Sequence, residues 1–271
     1  MVTVTRKKRG DDVKSATARA ICTAISHELG LAMELVRATP RANSVHLEYN
    51  VQSKFSVQSG VAKLKKTNAK ESGDSFSLMK LDDGRFVAAL SDGMGSGTRA
   101  RMESETAIEL LEELMERGFE KEIALQLINM ALLENAHDEL FTTLDICLLD
   151  LNSGSAEFMK IGAALSYLLQ NGRAEPEPIG HWTLPVGILE SVDIDIQKRE
   201  LRHGDVIIMM TDGVVESQKG DGGWLADMLA DMPTNDPQAM ADAVLAAAAQ
   251  NYGSEIGDDI MVVVVRIVKR R

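Results

Sequence analysis

Residues 86–93 read FVAALSDG and residues 206–213 read VIIMMTDG, so two short apolar runs each end in a small hydroxyl residue followed by Asp-Gly. An apolar run of this length, bounded by turn residues, is typical of a strand that is buried on both faces. Each run carries a carboxylate, Asp92 or Asp212, from the interior to the end of a strand. The repeated form predicts that a rigid sheet presents both carboxylates to one functional site.

A third acidic segment, Asp258-Asp259, lies directly before the apolar run IMVVVV at residues 260–265. Three buried strands bounded by acidic residues indicate that several carboxylates converge on one place. Carboxylates at close range repel one another unless a proton or a cation intervenes. Hard oxygen ligands of this kind suit Mg²⁺ or Mn²⁺. The sequence therefore predicts a metal enzyme.

A purely structural reading of the Asp-Gly pairs is the alternative, because Asp-Gly is a common turn. The chain has two further copies, Asp83-Gly84 and Asp221-Gly222. The first lies between apolar runs at 78–81 and 85–87 and predicts a β-hairpin. For any single pair a turn is the better explanation, whereas the repetition of strand, hydroxyl residue and Asp-Gly favours a site.

Composition argues against several classes of function. The chain has 271 residues and a net charge of −12, which disfavours nucleic acid and anionic membrane surfaces as general partners. Cys22 and Cys147 lack metal-ligand spacing and predict a reduced, cytoplasmic compartment. The five histidines form no ligand pattern. No apolar run approaches the ~20 residues of a membrane span, so we expect no transmembrane segment in this sequence.

The order of predicted elements favours an α+β fold. Residues 1–10 are polar and are expected to be frayed, and apolar spacing predicts a helix over residues 11–37, with Gly30 as an interruption or as the end of the helix. The later part has runs of strands with helices in pairs, which is typical of stacked α+β layers. The expected strands are 44–51, 54–64, 75–81, 85–91, 142–150, 155–161, 165–170, 192–201, 205–211 and 260–268. The expected helices are 98–117, 120–134, 223–231 and 237–250.

Several short motifs occur in an order that resembles the type-2C (PPM) metal-dependent protein phosphatases, and within them the bacterial branch typified by stage II sporulation protein E. They extend over about residues 55–268, and their order is more specific than any one of them. The matching segments are Ser72-Gly73-Asp74-Ser75, residues 91–97 (SDGMGSG), Arg101-Met102-Glu103-Ser104, Thr143-Leu144-Asp145, residues 184–188 (LPVGI), Gly204-Asp205, Thr211-Asp212-Gly213 and Asp258-Asp259.

The resemblance implies an αββα sandwich of two antiparallel sheets flanked by paired helices, with two Mn²⁺ or Mg²⁺ ions at one edge. Residue by residue, it implies that Asp92 bridges the two ions and that Asp92 and Asp212 are catalytic. The implied metal ligands are Asp74, Asp92, the backbone carbonyl of Gly93, Asp212 and Asp258. The residues implied to support these ligands without touching metal are Ser91, Thr211 and Asp259.

The resemblance further implies a protein serine/threonine phosphatase that acts on a phosphoserine of an anti-anti-sigma factor, a STAS domain, and so promotes sigma-factor activation in sporulation. The phosphatase domain would be residues 55–271. Residues 1–54 would form a regulatory or linker segment whose amphipathic helix could mediate a homodimer, with a plain packing helix as the alternative.

Full-length members of this branch carry membrane spans ahead of the phosphatase. This chain is therefore expected to be a fragment, an excised domain or a soluble relative, located in the cytoplasm or forming the cytoplasmic domain of a membrane protein. Two alternatives for the function stay open. One is a stress-response regulator phosphatase of the same branch, and the other is a catalytically silent relative that acts as a binding module.

Overall fold

The structure is a computed structural model that describes residues 2–7, 15–95, 97–134, 141–181, 183–189, 194, 196–218 and 223–270. Parts of four sequence predictions lie outside these described residues. They are residues 1 and 8–10 of the segment expected to be frayed, residues 11–14 of the predicted first helix, Ser96 of the second motif, and residues 192, 193 and 195 of the predicted strand 192–201.

The described residues form strands and helices close to most of the predicted bounds. The strands are β1 (Val2–Lys7), β2 (Met33–Pro40), β3 (Ser44–Val51), β4 (Phe55–Leu64), β5 (Asp74–Lys80), β6 (Arg85–Asp92), β7 (Leu144–Asp150), β8 (Ser155–Ile161), β9 (Ser166–Leu169), β10 (Glu177–Ile179), β11 (Ile196–Glu200), β12 (Val206–Met210) and β13 (Ile260–Lys269). The helices are α1 (Ser15–Leu29), α2 (Thr98–Glu116), α3 (Lys121–Glu134), α4 (Asp212–Val215), α5 (Gly223–Ala230) and α6 (Pro237–Tyr252).

The chain divides into two compact units, of which the smaller comprises the residues up to Lys54 together with Asp82–Gly84. Its strands form an antiparallel sheet in the order β1-β3-β2, and α1 contributes to the same small core. Leu47 and Tyr49 of β3 are fully buried there. The Tyr49 hydroxyl donates a hydrogen bond of 3.0 Å to the carbonyl of Ala18 in α1, so its polar atom is satisfied inside the core.

The first predicted helix ends just before Gly30, which agrees with one of the two expected roles of this residue, and the prediction is wrong over residues 33–37, where a strand replaces the helix. Helix α1 ends at Leu29, Gly30 follows with φ of 62°, and residues 33–40 form β2. Gly30 adopts this left-handed conformation without the steric cost of a side chain. Pairing with β3, from Met33 opposite Val51 to Pro40 opposite Val45, outweighs the local helix pattern. The expected fraying of residues 1–10 is also wrong for Val2–Lys7, which pairs with the other edge of β3.

The larger unit contains two antiparallel sheets whose apolar faces pack on each other. One sheet has the order β10-β9-β12-β13-β4 and the other β11-β8-β7-β6-β5. Side chains from both sheets form a continuous core, in which Phe158 of one sheet is buried with Met209 and Val263 of the other. We call the first the β13 sheet and the second the β6 sheet.

Helices cover the outer face of each sheet, which confirms the αββα sandwich. Leu111 of α2 and Ile128 of α3 are buried against the β6 sheet, while Leu225 of α5 and Val244 of α6 are buried against the β13 sheet. Because both faces of the central strands are covered, β12 and β13 are apolar along nearly their whole lengths. None of the helices in the described ranges has the length and apolar character that crossing a membrane requires.

Candidate metal centre

A hairpin register brings the first two acidic residues together. Strands β5 and β6 pair around the turn at Asp83-Gly84, so that Asp74 at the start of β5 lies directly opposite Asp92 at the end of β6. Directly opposed residues in an antiparallel pair have Cα atoms about 4.5–5.5 Å apart. The turn that the sequence predicts therefore fixes the approach of these two carboxylates.

The β13 sheet brings the other two acidic residues to the same edge. Thr211 follows β12, and Asp212 is the first residue of α4. The Thr211 amide donates to the carbonyl of Met261 (3.1 Å), and the Met261 amide donates to Thr211 Oγ1 (2.9 Å). This pairing sets Asp212 beside Asp258, which lies just before β13. Thr211 Oγ1 also donates to Asp74 Oδ2 across the two sheets (3.2 Å).

Electrostatic repulsion and burial dominate this cluster. Burial raises the pKa of Asp92 to about 10, and the charges of Asp74 and Asp212 add to the rise. Burial raises the pKa of Asp74 to about 7, with the charge of Asp259 as the second cause. Burial also raises the pKa of Asp258. Without metal at neutral pH, Asp92 therefore keeps a proton, which takes the place that a cation could fill.

The donor set fits a divalent ion. Asp74 Oδ1 and Asp212 Oδ1 are buried and have no hydrogen-bond partner, and such orphaned oxygens are costly unless a cation or water meets them. Carboxylate oxygens suit Mg²⁺ or Mn²⁺. Within the described ranges, no three or more His, Cys, Asp or Glu side chains already stand arranged to enclose one ion. The close contacts are pairwise, between Asp92 and Asp74 and between Asp92 and Asp212.

Two threonines hold the backbone of Asp92, and the sequence analysis assigned a role to neither. Thr142 Oγ1 donates to the carbonyl of Asp92 (2.8 Å), and the amide of Asp92 donates to Thr143 Oγ1 (2.9 Å). Ser91 supports both, since its Oγ lies 2.8 Å from Thr142 Oγ1 and donates to the carbonyl of Thr143 (2.7 Å). The sequence signals were the hydroxyl pair directly before the apolar run of β7 and the place of Thr143 in the matching segment Thr143-Leu144-Asp145.

Gly93 is held where a side chain would not fit. A Cβ atom on Gly93 would collide with the backbone carbonyl of Ala100 in the first turn of α2. The Gly93 amide donates to the carbonyl of Gly73 (3.3 Å), and Ser104 of α2 donates to that same carbonyl (2.5 Å). Helix α2 therefore packs directly against the backbone on both sides of the Asp74–Asp92 pair.

Asp259 and Lys63 border the cluster in different ways. Asp259 is buried, and its two carboxylate oxygens accept the amides of Lys66 and Gly73, each at 2.7 Å, so it fixes the loop that leads into β5. Lys63 of β4 donates from Nζ to the backbone carbonyl of Asp74 (2.5 Å). Burial lowers the pKa of Lys63. No sequence motif pointed to Lys63, which lies in an alternating strand just before other lysines.

We predict that the protein without metal becomes less stable as the pH rises. Asp74 and Asp92 have pKa values of about 7 and about 10 in the folded state, above the value of about 3.9 for an unfolded Asp. The folded state therefore binds extra protons, and the stability that they contribute is full at low pH and is lost as the pH rises through the folded values. Thermal melting with a chelator, from about pH 5 to about pH 8, measures this loss.

The matched variant for this measurement is Asp92→Asn, which removes the carboxyl group with the higher folded-state pKa and keeps the shape of the side chain. Its melting temperature should fall less across the same pH range. An equal or larger fall in Asp92→Asn would show that the pH dependence has another origin.

Comparison with known proteins identifies the family to which this chain belongs. A family model described as stage II sporulation protein E (SpoIIE) matches residues 82–268, a range that includes Asp92, Asp212 and Asp258 but not Asp74. Stage II sporulation protein E of Bacillus subtilis (strain 168) is 35% identical over 225 residues, which cover 82% of this chain and 27% of that protein. The match thus spans about a quarter of that relative's length.

Two solved structures share the fold. The PP2C phosphatase domain with a fragment of the regulatory domain of the cell fate determinant SpoIIE from Bacillus subtilis has a TM-score of 0.78 and 31% identity, covering 100% of this chain and 79% of that chain. RsbX in complex with magnesium has a TM-score of 0.60 and 16% identity, covering 86% of this chain and 100% of that chain. This chain has the fold of the PP2C phosphatases and belongs to the stage II sporulation protein E family.

Proposed function

We propose that this chain is the catalytic part of a metal-dependent protein serine/threonine phosphatase. The observation that carries the proposal is the meeting of Asp74 and Asp92 from one sheet with Asp212 and Asp258 from the other, at an edge where buried carboxylate oxygens have no partner. Burial and repulsion both oppose this arrangement in a protein without metal. Selection for stability alone would not collect these groups, whereas a need to bind divalent ions would.

We assign the ligands from the backbone positions. Asp92 would be shared by both ions, Asp212 and Asp258 would complete one site and Asp74 would belong to the other, and the carbonyl of Gly93 would be a ligand of one of the two ions. When bound, two divalent ions supply the positive charge that binds phosphoryl oxygens and lowers the pKa of an attacking water. Both oxygens of Asp259 already accept backbone amides, which supports a role in holding the loop and not in coordination.

The chain's own residues set the geometry and charge of the centre. Asp92 must lose its proton to act as a ligand, and the threonines at 142 and 143 keep its backbone fixed while the charge of its side chain changes. Thr211 donates to Asp74 Oδ2 and leaves Asp74 Oδ1 as the atom without a partner. The donated hydrogen bond therefore determines which oxygen of Asp74 is available.

The surroundings of the two cysteines are consistent with hydrolysis by water and without a cysteine nucleophile. Cys147 is fully buried in the core between the sheets, and burial raises the pKa of its thiol far above the usual range. Cys22 lies in the smaller unit, where its Sγ donates to the carbonyl of Met33 (3.0 Å). A cysteine nucleophile needs an accessible thiolate, and the buried Cys147 does not provide one. The proposed reaction is therefore a direct attack of water on a phosphoserine.

The proposed substrate is a phosphoserine on an anti-anti-sigma factor, a STAS domain, whose dephosphorylation would promote sigma-factor activation in sporulation. Membership of the SpoIIE family supports this assignment. The proposed regulatory segment is residues 1–54, and the solved SpoIIE structure that includes a fragment of its regulatory domain supports it, since that match covers the whole of this chain.

We predict that phosphate release from the phosphoserine form of the anti-anti-sigma factor requires added divalent metal and is faster with Mn²⁺. The ligands are oxygens, without the Cys and His of tight zinc sites, so a chelator should remove the ions. The measurement compares phosphate release after exhaustive chelation, with and without Mn²⁺, and uses an unrelated phosphoserine protein as the control substrate. Full activity after chelation would contradict the two-ion proposal.

We predict that Asp92→Asn and Asp212→Asn each lower turnover to below ~1% of wild type, because each removes a ligand from a two-ion clamp. Both variants should fold, and without metal their melting temperatures should equal or exceed that of wild type, because each removes one carboxyl group from a buried, repelling cluster. The control is Asp150→Asn, which alters an acidic residue in the β7–β8 turn. Near-normal turnover in either cluster variant would show that the ligand assignment is wrong.

A further inference from the structure

A buried ion pair lies next to the acidic cluster, and the mechanism above does not use it. Asp145 of β7 lies directly opposite Lys160 of β8, and Lys160 Nζ is 2.6 Å from Asp145 Oδ2. The side chain of Asp145 is only 1% exposed and that of Lys160 only 3%. Lysine is almost never fully buried unless it is paired.

The pair joins the two sheets through Ser166 of β9. Lys160 Nζ donates to Ser166 Oγ (2.9 Å) and to the carbonyl of Ala164 (2.5 Å). Ser166 Oγ donates in turn to Asp145 Oδ2 (2.7 Å). Asp145 and Lys160 belong to the β6 sheet and Ser166 to the β13 sheet. These three residues, which we call the inter-sheet triad, form a polar connection between the sheets beside the apolar core.

The inter-sheet triad lies beside the proposed metal ligands in the β6 sheet. Asp145 is the pairing partner of Leu90, and two residues further along β6 Asp92 bonds to Thr143. Residues two apart on a strand share a face, so Asp145 and Asp92 both face the layer between the sheets.

A small cavity of about 10 Å³ lies between Asp145 of the inter-sheet triad and the cluster, and its lining includes Asp92, Asp145, Thr211 and Asp212. That volume is close to the minimum for one water molecule. Asp145 Oδ1 is buried and has no hydrogen-bond partner, as is true of Asp212 Oδ1. A single water between these carboxylates would meet both orphaned oxygens.

We propose that Asp145, Lys160 and Ser166 are positioning residues that fix the spacing between the carboxylates of the two sheets, with one water linking Asp145 to the metal centre. Asp92 lies at the end of a strand of one sheet, and Asp212 directly follows Thr211 at the edge of the other. Sliding of the sheets would therefore change the distance between these two ligands of a bound ion. Apolar side chains allow such sliding more readily than directional hydrogen bonds do. A well-packed apolar replacement of a buried ion pair is often equally stable, so stability alone does not account for the triad.

This inference rests on the proposed function, and its main readout is therefore Mn²⁺ binding by titration calorimetry, which needs no turnover. The test variant is Asp145→Leu/Lys160→Met/Ser166→Ala, which replaces the whole inter-sheet triad by apolar side chains. Its Mn²⁺ affinity should fall by about 10-fold or more, the loss that follows when residues orienting metal ligands are removed. Its turnover at saturating Mn²⁺ should stay within about 2-fold of wild type, because the ligands themselves remain.

Two further variants separate positioning from stability. Lys160→Met alone leaves an uncompensated buried carboxylate and should lower the melting temperature strongly. The matched control is Asp205→Asn, at another buried acid of the β13 sheet, whose oxygens accept the amides of Asn171 and Arg202 (2.8 Å each). Asp205→Asn should lose stability and keep the wild-type Mn²⁺ affinity.

Wild-type Mn²⁺ affinity in the folded triple variant would overturn the inference, and so would an equal loss of affinity in Asp205→Asn. Should the triple variant fail to fold, Ser166→Ala decides, because it keeps the ion pair and removes the link between the sheets. An unchanged Mn²⁺ affinity in Ser166→Ala would then overturn the inference. Wild-type protein that binds Mn²⁺ but releases no phosphate would instead overturn the proposed function, and calorimetry would still test the positioning role.

Discussion

Repulsion among carboxylates at one edge of the sandwich is the constraint on which the rest of the structure depends. Asp92 is close to both Asp74 and Asp212, and burial adds to their mutual repulsion. In the protein without metal, a proton on Asp92 lowers this repulsion, but Asp74 Oδ1 and Asp212 Oδ1 still have no hydrogen-bond partner. The surrounding fold must therefore hold these residues in place against a local force that separates them, and a bound cation would turn that force into attraction.

The fold holds these acidic residues in place by fixing their main chains, and it leaves carboxylate oxygens available to bind a cation. Hydroxyl groups of Thr142 and Thr143 hold the main chain of Asp92, and the carbonyl of Ala100 in α2 closes the space around Gly93. Across the sandwich, Thr211 links the β13 sheet to Asp74. Each of these contacts is a hydrogen bond or a steric contact of defined geometry, so together they limit how far the carboxylates can separate. The apolar core stabilises the fold, and the polar contacts fix the positions of the carboxylate residues.

Much of this could be predicted from the sequence, because the signals were local. The two apolar runs before Asp92 and Asp212 indicated buried strands, and the Asp83-Gly84 turn sets the register that opposes Asp74 and Asp92. Non-local pairing explains what the sequence did not show. Residues 33–37 have a helical pattern, but they become a strand because β3 offers a partner. A lysine such as Lys160 suggests an exposed position, and only the folded sheets reveal that Asp145 and Ser166 satisfy it in the interior.

The central claim is that Asp92 joins two divalent ions where the ends of the two sheets meet. The most direct measurement is a crystal structure of the protein with Mn²⁺, using anomalous scattering to locate the metal. Two anomalous peaks should appear about 3.5–4 Å apart, both within bonding distance of the Asp92 carboxylate, with Asp74 at one and Asp212 at the other. Crystals grown with saturating Mn²⁺ that show no anomalous peak among these three carboxylates would contradict the central claim.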